Sequence, residues 1–523
     1  MLRAFRNLAL LVRATRVMAR HDALLPLEFR EEVPPALLAL LPVAKLRLPW
    51  ESGVQEKGLG AAFEALGPSY IKLGQFLATR PDIIGPDLAS ELTKLQDKLP
   101  PFPLEEARAI VEADLGKPVD AMFTSFSKPI AAASIAQVHR ARIKPDASYP
   151  DGQEVAVKVL RPGVEARFSR DLDSFFWAAA WIERGYKPSR RLRPIEIVRT
   201  LADSVALEMD FRLEAAAMSE MAENVANDAG FRVPLADWEH TAKHVLTLEW
   251  IEGIPASDRQ ALIAAGHDMR KLGQQIIQSF LTHALRDGFF HADMHPGNLF
   301  VDKEGRLVAV DFGIMGRLGP PERRYLAEIL YGFVTRDYRR VAEVHFEAGY
   351  VPRDKNVDHF AQALRAVGEP IFRRPASDVS MGKLLAQLFD VTAQFDMATR
   401  PELILLQKTM MVVEGVARHF DPGNNIWESA EPFLREWVAG RMAPETRLEE
   451  GAAYVSRTLT QLPDLIARAE RTVRLLSESV DEEGVRLHPA SAQAIARADG
   501  PWERVKSGAF WVLLGVLAAL LFV

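Results

Sequence analysis

The 523-residue chain is 48% hydrophobic, enough for more than one core, because single cores usually stop growing near about 250–300 residues. A formal net charge of −6 argues against a generally basic, nucleic-acid-binding surface. With no cysteine, disulfides, thiolate chemistry and cysteine-ligated zinc or iron–sulfur centres are excluded. The first element, residues 1–24, carries Arg3, Arg6, Arg13, Arg16 and Arg20 with no acid before Asp22. On a helical wheel these arginines share an arc of about 140°, with Phe5, Leu8, Leu11, Val12 and Met18 largely outside it. That pattern fits an interfacial helix at a membrane and equally a helix docked on the protein's own body.

Residues 25–116 read as a helical extension punctuated by Pro34-Pro35, Pro42 and Gly67-Pro68, with a helix over Ser69–Pro81 and another over Leu104–Leu115 that ends at Gly116. From Ile130 the pattern changes to alternation. Ser134–Ile143 and Glu154–Leu160 read as paired strands around the turn-rich Lys144–Gly152. Asp171–Ile182 and Pro194–Asn227 read as helix, Val245–Trp250 as strand, and Met269–Leu285 as helix. Short strands at Leu299–Val301 and Leu307–Val310 flank a Lys-Glu-Gly turn, and the chain is nearly all helix from there to about residue 490. The order predicts a small antiparallel lobe over 117–252 with a helical insert, then a helical lobe over 253–490.

A linker from 491 leads to Gly508–Val523, which has no charged or strongly polar side chain. Sixteen residues of helix reach only about 24 Å against a hydrocarbon core of about 30 Å. The segment therefore reads as a shallow or tail-type anchor, with a buried terminal helix as the alternative.

The most specific signal is His291-Ala-Asp293-Met-His-Pro-Gly-Asn298 followed by Asp311-Phe312-Gly313. It resembles a protein-kinase catalytic loop and metal-binding turn. There an aspartate (Asp293 here) contacts the acceptor, an asparagine five residues on (Asn298) binds Mg2+, and a second aspartate (Asp311) holds the metals that bridge the phosphates. Magnesium demands such hard oxygen ligands. Upstream, Val155-Ala-Val-Lys158 resembles the strand whose lysine holds the nucleotide phosphates. Where ordinary kinases have Gly-x-Gly-x-x-Gly-x-Val, this chain has Ala131-x-Ala133-Ser134-x-Ala136-x-Val138. Each added Cβ penalises positive φ and holds the backbone away from phosphate. Taken alone, the segment also reads as an alanine-rich helix start.

Together with Lys72-Leu-Gly74-Gln75 and Glu208-Met-Asp210, that alanine loop resembles the UbiB/ADCK family of atypical kinases over roughly residues 25–430. The resemblance implies a bilobal α+β protein-kinase-like fold. It also implies an N-terminal extension whose Lys72 and Gln75 pack over the active site, regulatory acids Glu208 and Asp210 facing that extension, and Glu214 as the partner of Lys158. ATP or ADP with Mg2+ would be the cofactors, the base meeting the backbone near Glu249 and Ile251. The implied role is an ATPase or atypical kinase supporting ubiquinone biosynthesis at the bacterial inner membrane, its kinase-like domain cytoplasmic. Membrane lipids, polyprenylphenol quinone intermediates and other ubiquinone-biosynthesis proteins would be its partners, with no nucleic acid, and a homodimer is compatible with the sequence. The same residues permit a kinase with a discrete acceptor or a non-catalytic ATP-bound scaffold. A hydroxylase, an activity also ascribed to the family, finds no support: Gly58-Leu-Gly60-Ala-Ala-Phe63 lacks the third glycine and preceding strand of a dinucleotide site, and no haem or iron motif is recognisable.

Overall fold

The computed structural model describes residues 2–23, 57–78, 99–145, 149–185, 193–372, 394–397 and 401–442, with isolated positions besides. The Pro34–Pro42 stretch and the apolar segment 508–523 lie outside the described residues. Among the described residues no helix is long and apolar enough to cross a membrane. The chain divides into two compact units, Met1–Leu434 and Arg435–Val523. The first carries every site residue discussed below. In the second, two short strands pair Val480 with Val485 and Asp481 with Gly484.

The small lobe is a four-stranded antiparallel sheet in the order β1 (Phe123–Ala132), β2 (Ala136–Ile143), β3 (Glu154–Leu160), β5 (Val245–Glu249). Along β3 the two-residue period turns Val155, Val157 and Val159 to one face, where they are buried, and Ala156 and Lys158 to the other. The valine face packs with Ala107 and Val111 of the Leu104–Leu115 helix. That helix, assigned to the extension by sequence, thus contributes to the core of this lobe. Each fully buried valine contributes about 1.5–3 kcal/mol, so the strand is pinned on its apolar face and Lys158 is committed to the opposite one.

The structure extends the sequence reading at several points. Strand β1 begins at Phe123, ahead of the alternation, and the alanine segment is the turn between β1 and β2 rather than a helix start. The helix read over Asp171–Ile182 runs from Val164 to Gly185. The single helix read over Pro194–Asn227 is two, Pro194–Glu208 and Phe211–Asn224. Asp210 makes the break, because its side chain accepts from the Arg212 N–H as the N-cap of the second helix.

Before the small lobe, the Leu59–Leu66 and Pro68–Ala78 helices pack together. The Leu2–Arg20 helix docks on Val164–Gly185. Arg3 and Arg6 both pair with Asp173, and the Asn7 amide donates to the same carboxylate at 3.2 Å. Of the two readings of this helix, docking on the body is the one observed, while Phe5 remains exposed.

The larger lobe opens with a second four-stranded sheet, β4 (Phe231–Arg232), β9 (Leu307–Ala309), β8 (Leu299–Asp302) and β6 (Gly253–Pro255). The turn between β8 and β9 uses Gly305 at φ 78°, where glycine meets no Cβ penalty. The Met269–Thr282 helix buries Leu272, Ile276, Ile277, Phe280 and Leu281 and packs along Pro401–Phe420. The approach is close: a Cβ on Gly273 would lie 3.0 Å from the Ala417 carbonyl.

Candidate active site

Lys158 projects from β3 into the cleft between the lobes. Its Nζ donates to both oxygens of Glu214, at 2.9 and 3.0 Å, and lies 3.3 Å from Asp311 Oδ2. Glu214 is delivered by the buried stripe of the Phe211–Asn224 helix, with Phe211, Ala215, Met218 and Met221. Lys158 and Glu214 are 15% and 7% exposed, against 44% for Asp311. Burial works against the lysine's charge, but Asp311 and Glu214 outweigh it and hold its pKa above the ordinary value. Burial raises the Glu214 carboxyl, opposed by Lys158. Enclosure alone would raise Asp311 too. Lys158, and the Gly313 N–H that donates to Oδ1 at 3.1 Å, hold it well below the usual carboxylate range, with a further contribution from Lys72.

Asp311 follows β9, and Phe312 beside it is fully buried against the His291 ring, centroids 5.1 Å apart. The 291–298 loop is fixed by its own polar groups. The Asp293 N–H donates to His291 Nδ1 at 3.0 Å, the His295 N–H to the Asp293 carbonyl at 2.9 Å, and the Asn298 amide to that carbonyl at 3.2 Å. The Val310 N–H donates to the Asn298 carbonyl at 3.0 Å, tying the loop to the strand end that carries Asp311. Asp293 and Asn298 therefore sit on one short rigid loop.

Above the cleft, the alanine turn is held from below. The Ala133 N–H donates to the Ala136 carbonyl at 2.8 Å, and the Arg161 guanidinium donates to the Ala133 carbonyl at 2.8 and 2.9 Å. Ala131 pairs with Val138, and Val138 with Lys158, so Val138 and Lys158 point to the same face. Ser134 is fully buried within the turn. Between the lobes, the Trp250 N–H donates to the Glu154 carbonyl at 3.1 Å, just before Ile251. The Glu249 side chain is taken by Arg232 at 2.7 Å, and its N–H donates to the Leu235 carbonyl at 2.9 Å.

The extension's Pro68–Ala78 helix sets Lys72 Nζ 2.5 Å from Glu208 Oε2, both largely buried. Gln75 lies one turn further along the same helix, half-buried. Asp210 does not join this pair. Besides capping its helix it accepts from the Arg212 guanidinium at 2.6 Å. Residues two apart on a helix point about 200° apart, so Glu208 and Asp210 take different partners.

Sequence reasoning missed three contributors. Arg161 clamps the alanine turn. Thr409, on the Pro401–Phe420 helix, is fully buried with its hydroxyl 3.2 Å from the Ala292 carbonyl and 2.8 Å from that of Leu405. Lys408, next to it, places Nζ 3.8 Å from Asp293 Oδ1. Arg161 follows β3 directly and was within reach of a local reading; the other two stand more than a hundred residues from the loop they touch.

A small antiparallel lobe with a strand lysine paired to a helix glutamate, set over an Asp…Asn loop and an Asp-Phe-Gly turn, defines a protein-kinase-like protein. The profile of the ABC1 atypical kinase-like domain matches residues 94–345, and that of the UbiB helical domain matches residues 364–425. A protein of Marinobacter nauticus described as "Probable protein kinase UbiB" is 41% identical over 456 residues, 85% of this chain and 81% of that protein. A namesake from Azotobacter vinelandii is 38% identical over 479 residues, 87% and 88% of the two chains. The chain belongs to the UbiB family of atypical kinases. The solved structure of the Rv3197–erythromycin complex from Mycobacterium tuberculosis aligns over 70% of this chain and 92% of that one, at 25% identity and a TM-score of 0.46.

Proposed function

We propose that the protein is a Mg2+- and ATP-dependent atypical kinase or ATPase that supports ubiquinone biosynthesis at the membrane, coupling the nucleotide to the handling of polyprenylphenol intermediates. The observation that carries this reading is the joint placement of Lys158, Glu214 and Asp311 in one cluster across the cleft. The donor set fits the implied cofactor: Asp311 offers carboxylate oxygen, and Asn298, its NH2 committed to the Asp293 carbonyl, offers Oδ1. Magnesium typically takes one or two protein oxygens and completes its shell with phosphates and water. When bound, it neutralises charge on the phosphates.

In this reading Lys158 contacts the α- and β-phosphates and Glu214 keeps it aimed. The turn from Ala131 to Val138 covers the phosphates, and the backbone near Glu249 and Ile251 meets the base. Asp293 accepts the proton of the attacking hydroxyl or water. Lys72, latched to Glu208, holds the extension over the cleft with Gln75 on the same helix, a regulatory cover that favours a small or lipid-derived acceptor over an extended polypeptide. Membrane attachment would rest on the apolar stretch 508–523, and the family's link to ubiquinone supports lipid partners.

The test is Mg2+-dependent phosphate release by the full chain, with and without anionic liposomes and a phenolic quinone-precursor mimic. The expected result is turnover stimulated by lipid and mimic and abolished by Asp311→Asn. Full turnover in the variant would overturn the site assignment, and nucleotide binding without turnover under any condition would leave a scaffold.

A further inference from the structure

Lys408 comes from the helical region that follows the kinase-like domain, yet it stands at the acceptor end of the cleft. Its Nζ lies 3.8 Å from Asp293 Oδ1, both side chains being 28% exposed, while His295 Nε2 lies 3.7 Å from the other carboxylate oxygen. The separation exceeds a hydrogen bond, so the Lys408 ammonium stands beside Asp293 with its N–H donors not committed to that carboxylate. The other cleft lysines are committed at shorter range, Lys158 to Glu214 and Asp311, Lys72 to Glu208. Among the described residues, Asp293 is the acid within 4 Å of Lys408.

The placement is built into the fold. Thr409, fully buried, sets its hydroxyl within 3.2 Å of the Ala292 carbonyl, fixing the helix against the residue before Asp293. The Arg259 guanidinium donates to the Phe420 carbonyl at 3.2 Å and holds the far end of the same helix. A lysine on an ordinary solvated helix face would need neither anchor. The catalytic loop itself supplies no lysine or arginine between His291 and Asn298, so a cation there has to be brought in from elsewhere.

We propose that Lys408 is a catalytic residue that contacts the γ-phosphoryl group beside Asp293, a cation delivered in cis by the helical region. The inference rests on the kinase-like reading given above and assigns the acceptor end of the same site. In the step, the acceptor oxygen of a hydroxyl or water bonds to the γ-phosphorus. The bond from that phosphorus to the β,γ-bridging oxygen breaks, its electron pair leaves on ADP, and the acceptor proton passes to Asp293. Lys408 offsets the repulsion between the Asp293 carboxylate and the phosphoryl oxygens, and stabilises the charge these carry during transfer.

A contact to the γ-phosphate alone has a signature that a structural role lacks. The full chain is titrated with Mg-ADP and with Mg-AMP-PNP, a non-hydrolysable ATP analogue, as wild type, Lys408→Met, Lys408→Arg and Asp311→Asn. Expected is unchanged Mg-ADP affinity in Lys408→Met, which also reports an intact fold, with Mg-AMP-PNP affinity lowered about tenfold and largely restored by arginine. Equal affinities for the analogue in wild type and Lys408→Met, or an equal loss for both nucleotides, would overturn the assignment of Lys408 while leaving the kinase-like reading intact. A wild type that binds neither nucleotide, or an Asp311→Asn variant that binds both as wild type does, would instead overturn the reading itself and the assignment with it.

Discussion

Glu214→Gln tests the cluster at its least exposed member. Removing one partner of a buried ion pair costs about 3–5 kcal/mol when the other charge is left stranded. Lys158 is not stranded here, because Asp311 Oδ2 stays 3.3 Å away and the glutamine carbonyl still accepts one hydrogen bond. The expected loss of stability is therefore about 1–2 kcal/mol. Lys158→Met removes the one positive partner of Glu214 among the described residues, itself 7% exposed, and reaches the full range of about 3–5 kcal/mol. The two variants should also differ in function. In Glu214→Gln the lysine leans wholly on Asp311 and competes with magnesium for it, lowering Mg-nucleotide affinity about tenfold. Urea unfolding of the full chain gives the first quantity and nucleotide titration with and without Mg2+ the second. Equal destabilisation by both variants, or an Mg-nucleotide affinity unchanged in Glu214→Gln, would refute the picture of one lysine shared between two carboxylates.

Two further outcomes follow from single side chains. His345 is buried, its Nδ1–H donating to the Val341 carbonyl at 2.7 Å, and burial pushes its pKa down to about 4. Because the folded value lies below the unfolded one of about 6.5, the stability it confers is complete above pH 6.5 and is lost as pH falls toward 4. That loss is up to about 3 kcal/mol, and His345→Leu should flatten this part of the stability–pH profile; an unchanged slope would exclude His345 as the source. In Gly74→Ala, the new Cβ would sit 2.6 Å from Phe63 Cδ2 and 3.0 Å from Leu95 Cδ2. Overpacking of this kind costs about 1–3 kcal/mol, so the unfolding midpoint should drop; an unshifted midpoint would show that the Lys72 helix tolerates displacement.

How much of this was legible in the sequence depended on whether residues that meet in space also lie close along the chain. Asp293 and Asn298 share one loop and Asp311 ends the next hairpin, so their spacing carried the geometry. Lys158 was readable because β3 alternates from Glu154 to Val159, and the valines on one side force the lysine to the other. Strand β1 was not, because only its first residue is buried and half of its positions are exposed, so no apolar alternation marks it. Strands β7 (Phe289–His291) and β10 (Met315–Arg317) are three residues each, too short to show any period. Glu208 and Asp210 looked alike in a motif and parted in the structure, since one ends a helix facing Lys72 and the other starts the next helix as its cap.

The helical region marks the boundary of motif reading most sharply. Pro401–Phe420 offers an amphipathic pattern and no recognisable chemical motif, and its buried positions explain only how it packs. Yet the close approach at Gly273, the Thr409 hydroxyl at Ala292 and the Arg259 contact at Phe420 make this helix the floor of the 291–298 loop. In this architecture, whether Asp293 keeps its position depends on a segment outside the residues matched by the kinase-like profile. The same dependence gives a distant change in the helical region a physical route to the site: any shift of this helix along its axis moves Thr409 from the carbonyl before Asp293 and moves Lys408 with it.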